Sequence, residues 1–161
     1  MIMDLVNQTF LYAVTSSNHL AFFLLIKILA LSNNTVVANV TDIQTNGALL
    51  NYTVSLPLFL FYYNGSGIPA GQIDGAPVYS VNLPGYEIYV DSYNGLVLAY
   101  VNGDGNFTLN GSTVPLGPGV YVPLHVPNFN PEPDYTPSVT VLTAVLVSSF
   151  YFLFKRRWSS R

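Results

Sequence analysis

Between positions 35 and 126 apolar and polar residues trade places over short distances. Runs rich in Val, Tyr, Leu and Phe recur at 35–42, 48–55, 57–63, 77–82, 86–91, 95–102, 106–109 and 119–126. Short runs at that spacing predict an all-β domain. Within 86–91 the order Tyr-Glu-Ile-Tyr-Val-Asp alternates in part, as a half-buried strand should, whereas Leu58-Phe59-Leu60-Phe61 is apolar throughout and predicts a central strand. Asn94-Gly95, Asn102-Gly103-Asp104-Gly105 and Asn110-Gly111 separate successive runs at hairpin distance, because Asn and Gly tolerate the positive φ of primed turns. Residues 86–115 therefore read as a meander. There is no long helical period, and the expected fold over 33–130 is a small antiparallel β-sandwich, Ig-like or similar.

Two longer apolar runs flank this pattern. The first, LAFFLLIKILAL over 20–31, has the length of a signal-peptide core, and Ala30 and Ser32 place small residues where a signal peptidase reads. No Lys or Arg precedes it and Lys27 sits inside it, so one long signal-anchor helix over 5–31 is the alternative. Residues 1–32 are thus expected to be a cleaved signal or an apolar helix. The second run, 139–154, follows a stalk over 131–138 that begins Pro131-Glu132-Pro133-Asp134, and it ends at Lys155-Arg156-Arg157. As a helix, 135–154 would reach about 30 Å, the thickness of a bilayer's hydrocarbon core. Four of the five Lys and Arg residues lie beyond it, and none lies from 28 through 154. The positive-inside bias then puts the tail 155–161 in the cytoplasm and the β domain outside a cell membrane or viral envelope. The chain would cross once, or twice if the N-terminal run stays as a helix. Thr140, Ala144 and Ser148 recur every four residues along the span, a row of small side chains that lets helices approach and points to a homo-oligomer.

Composition sharpens the class. Of 161 residues half are hydrophobic, 8% are charged, and Tyr and Phe number 12 and 10, which excludes a disordered chain and allows a real core. There is no cysteine, so neither a disulfide-stapled scaffold nor a thiolate metal site or Cys nucleophile is available. The net charge of −3 conceals an asymmetry: Asp42, Asp74, Glu87, Asp91, Asp104, Glu132 and Asp134 fall in the exterior part, with no Lys or Arg beside them. Such a surface repels nucleic acid. It also suits an acidic exterior, since protonating the carboxylates leaves almost no cations to repel one another. Asn-Gly pairs at 46, 64, 94, 102 and 110 argue against a hot neutral one.

Asn-x-Ser/Thr triplets begin at Asn7, Asn33, Asn39, Asn51, Asn64, Asn106 and Asn110, none with Pro in the middle. The last six lie in the exterior part and are the expected glycan acceptors. Other chemistry is thin. The loop 102–106 starts like a calcium loop but has Phe107 and Thr113 where the turn glycine and the acidic ligand belong, so a hairpin turn explains it better. Glu87 and Asp91 would stand about 13 Å apart on one strand, wider than glycosidase pairs, and read as solvated charges. No nucleophile elbow, phosphate loop or dinucleotide fingerprint appears, so no catalytic residue, metal ligand or cofactor is assigned and an enzyme is not expected.

The order Pro131-Glu132-Pro133, apolar span, Lys155-Arg156-Arg157 resembles the tripartite sorting signals read by exosortases and archaeosortases, with a longer spacer over 134–138. The Asn-, Tyr- and Thr-rich, cysteine-free exterior part resembles membrane-anchored surface proteins of thermoacidophilic archaea and of their viruses. These resemblances imply a structural or adhesive surface glycoprotein; an accessory subunit of a membrane complex is the first alternative and a secreted hydrolase the second.

Overall fold

The computed structural model describes residues 4–127 apart from 18, 104 and 118. The stalk, the apolar span with Thr140, Ala144 and Ser148, and the basic tail with Lys155, Arg156 and Arg157 lie outside the described residues. Among the described residues no helix is long and apolar enough to cross a membrane. The fold is all-β. Nine strands run β1 (Thr9–Ser16), β2 (His19–Ser32), β3 (Thr35–Gln44), β4 (Leu49–Pro57), β5 (Ile68–Ile73), β6 (Ala76–Leu83), β7 (Tyr86–Asp91), β8 (Val97–Val101) and β9 (Gly105–Ser112). They form one antiparallel sheet in the order β4-β3-β2-β1-β9-β8-β7-β6-β5.

That order is two meanders, β1 to β4 and β5 to β9, fused where β1 pairs with β9. The β1–β9 ladder makes the hydrogen bonding continuous from edge to edge, so the nine strands belong to a single sheet. The apolar helix expected at the N-terminus is corrected. Residues 9–32 are strands β1 and β2, interior strands of the sheet, with β1 beside the central β9. Phe22, Leu24, Ile26 and Ile28 of β2 are buried, and so are Phe10, Tyr12 and Val14 of β1. Lys27 falls on the opposite parity and is exposed. A continuous apolar run reads alike as a helix or as a strand covered on both sides, and only the pairing partners decide.

The two meanders are linked by a chain segment that must travel from one edge of the sheet to the other. It is built from residues expected to form a central strand at 57–63, and it forms instead a 3₁₀ turn at Leu58–Leu60 followed by an irregular stretch. Pro57 ends β4, and the backbone N–H of Leu58 donates to Asn34 O at 2.8 Å, which bends the chain inward. Phe61 then lies fully buried, its ring stacked on Phe10 at 5.9 Å and 6.4 Å from Tyr12. Val97 N donates to Phe61 O at 2.8 Å and Tyr63 N to Gly95 O at 2.9 Å, so the crossing chain also docks on β8. Gly95 has φ +79, and a Cβ there would come within 2.7 Å of the Tyr62 ring, so the turn and the docking both require glycine.

A second core of Ile88, Val90, Val97 and Tyr100 shares Leu60 and Phe107 with the main one. The meander expected over 86–115 is present as β7, β8 and β9. Asn110-Gly111 is not a turn within it. The register of β1 on β9 shifts between Leu11 and Tyr12, opposite Gly111 and Leu109, so Asn110 is the extra residue of a bulge. The expected strand at 119–126 is absent: Leu116 and Val120 make a lone bridge, and Val122 O accepts from Ser112 N at 3.0 Å.

Candidate functional site

The expected acceptor asparagines fall into distinct settings. Asn33 sits at the tip of the β2–β3 hairpin with φ 46, exposed, and Asn64 is exposed in the loop before β5. Asn110 is exposed at the bulge of β9, while Asn106, on the same central strand of the sheet, is half-buried opposite Thr15 and Val101. Asn39 of β3 and Asn51 of β4 stand apart. The Asn39 amide donates to Asn51 Oδ1 at 3.0 Å, and Asn51 Nδ2 donates to Asn39 Oδ1 and to Thr41 Oγ1, each at 2.8 Å. Both hydrogens of the Asn51 amide are therefore engaged. The Asn and Thr of one triplet are tied to the Asn of the next.

The titratable groups sort by burial. Asp42 lies on the inward parity of β3, in one row with Tyr12 of β1, Leu24 of β2 and Leu50 of β4. Its side chain is buried. Oδ1 accepts from the Tyr52 hydroxyl at 3.3 Å, and Oδ2, also buried, has no partner among the described residues. Burial disfavours the anion and lifts this carboxyl to about 6, with the Tyr52 hydrogen bond pulling weakly the other way. Burial likewise raises the Tyr52 phenol, with Asp42 adding to it.

Asp91, expected as a solvated strand charge, is fully buried, and this corrects that reading. Oδ1 accepts from Tyr93 N at 2.8 Å and Oδ2 from Gly117 N at 2.6 Å, so the carboxylate ties the β7–β8 turn to the segment after β9. Its partner in the imagined pair, Glu87, is half-buried on the same strand. Loop 102–106 closes as a turn, with Asn102 Oδ1 accepting from Gly105 N at 2.9 Å. No cluster of three His, Asp or Glu able to hold a metal occurs among the described residues. A shallow open groove runs along β5, lined by Gly67, Pro69, Gln72, Tyr79 and Ser92, with no ionisable group but the Tyr79 phenol.

No protein-family model matches the chain, and neither a curated protein nor a solved structure matches it significantly.

Sequence reasoning missed the two buried aspartates as a class. Asp42 is preceded by a Val-Ala-Asn-Val-Thr alternation that places it on the Val40 parity, which was the available signal. Asp91 carried none, because its partner Gly117 is distant in sequence.

Proposed function

We propose that the chain is a membrane-anchored extracellular glycoprotein with a structural or adhesive role on an archaeal cell surface or in a viral envelope, and that it catalyses no reaction. The observation that carries this reading is the charge asymmetry. Lys27 is the only Lys or Arg ahead of residue 155, and the sheet offers acceptor asparagines at exposed tips instead of charges. Glycans solubilise such a surface. Because β1 and β2 carry core residues, residues 9–32 are retained in the mature protein in this reading, and the chain crosses the bilayer once, through 139–154, with Lys155, Arg156 and Arg157 inside. The row Thr140, Ala144, Ser148 would bring spans of a homo-oligomer together.

The alternative of an accessory subunit in a membrane complex is favoured by one feature, the exposed Leu20, Leu29 and Leu31 of β2, which a docked protein would cover. Glycopeptide mass spectrometry on native, membrane-extracted material tests the choice. Occupied Asn33 and Asn64 are expected. Unmodified asparagine at all six exterior triplets would remove the glycoprotein part and favour the close-packed subunit.

A further inference from the structure

The sheet has two edges, and they differ in what they offer a further strand. β5 is irregular: Pro69 has no N–H to donate, Gly71 adopts φ +85, and the register on β6 breaks between Pro69 and Gln72. Proline and a broken register are the usual means of blocking strand addition. β4 has no such device before its last residue, Pro57. Its nine residues pair with β3 without a register shift, contain no glycine and carry no charge. Among the described residues nothing pairs with its outer side.

The side chains of β4 read alike in both directions. Asn51, Thr53 and Ser55 are exposed on the outward parity between an exposed Leu49 and a buried Pro57, and Leu50, Tyr52, Val54 and Leu56 occupy the inward one. We propose that β4 pairs with β4 of a second copy, antiparallel and centred on Thr53, its middle residue. In that register Thr53 faces the partner's Thr53 and Asn51 faces the partner's Ser55. Tyr52 faces the partner's Val54, Leu50 the partner's Leu56, and Leu49 the partner's Pro57. Every pair joins like with like, which a two-fold axis demands and an unrelated strand would match only by chance.

The occupant is a second copy for two further reasons. No charged side chain on β4 is brought near its own image, so the homotypic contact meets no like-charge repulsion. Leu50, Tyr52 and Val54 are only half covered in the single chain, and the symmetric neighbour would cover the same three residues on both sides at once. The Asn39–Asn51–Thr41 bonds already fix the outward polar row, so little side-chain freedom is lost on pairing. Because β5 cannot extend the sheet at its other edge, the assembly closes at two copies.

The chain has no cysteine, so single substitutions report proximity directly. Thr53→Cys, Asn51→Cys and Gln72→Cys would each be made in the full chain and oxidised mildly in its own membrane, then separated without reductant. The proposal expects Thr53→Cys to run mostly at twice the mass, since facing residues in adjacent strands lie within disulfide reach. Asn51→Cys should stay mostly single, because its image would be about 13 Å away. Gln72→Cys, on the blocked edge, should also stay single. Thr53→Cys that remains single, or all three variants cross-linking alike, overturns the proposal. Thr53 is exposed and no side-chain bond depends on it, so a folded variant is expected.

Discussion

A carboxylate buried with one tyrosine hydroxyl for company costs stability wherever it is ionised. For Asp42 the folded form titrates near 6 and the free side chain near 3.8. The folded state therefore binds more protons than the unfolded state between about pH 6 and pH 4. Stability contributed by this group is absent at pH 7 and grows as pH falls through that window. Asp42→Asn should raise stability at pH 7 by roughly 1–2 kcal/mol, allowing for solvent at the rim, and change it little at pH 3.5. Thermal melts of both chains across that range would show it as a flattened pH profile. At the same scale, Asn39 and Asn51 spend their amides on each other. Where glycans are present, site-resolved occupancy should be high at Asn33 and Asn64 and low at these two. Full occupancy of Asn51 would mean that the reciprocal bonds are not kept in the native protein.

Strands β3, β4, β6, β7 and β8 were legible because each is a short run with a turn residue at either end. The errors have a common physical origin. In β2 both faces are apolar, so the period-2 signal vanishes, although Thr9-Phe10-Leu11-Tyr12-Ala13-Val14-Thr15 and the Ser-Ser-Asn at 16–18 did hold a strand and a turn. In 58–61 the same ambiguity hid a crossing segment rather than a strand, since a chain that must leave its sheet and plug the core is apolar all round. β5 was invisible because its Pro69 and Gly71 are edge features that count against a strand in the sequence. Asp91, Asn39 and Asn51 act through partners that no local spacing reveals. Two expectations follow for the elements. Truncating residues 1–32 should abolish the cooperative thermal transition, because it removes the strand that joins the two meanders; a chain starting at 33 that melts like the whole would refute the place given to β1. Phe61→Ala should destabilise the fold by about 3–5 kcal/mol, read from denaturant midpoints, as it empties the contact between the crossing segment and Phe10.

For the molecule as a whole, charge is the governing quantity. Among the described residues the basic side chains are Lys27, His19 and His125, too few to drive acid expansion, and Asp42 adds stability as pH falls. The full chain should keep a cooperative β-type circular dichroism melt at pH 3, and its loss there with retention at pH 7 would defeat the charge argument. The anchoring proposed through 139–154 is tested separately by Leu146→Arg. A charge near mid-bilayer costs about 2.5–3.5 kcal/mol on insertion scales, so the variant should shift to the soluble fraction.

The β1–β9 ladder also sets a clock. Numbered from β5, the sheet is a single ribbon in which each strand lies beside its successor, except that the chain begins in the middle of it. On a ribosome β1 is made first and its partner β9 last, about a hundred residues later. At common synthesis rates, roughly 5–20 residues per second, β1 waits on the order of 5–20 s with one side unpaired. During that interval the exposed flank of Phe10, Tyr12 and Val14 is open to neighbouring nascent chains.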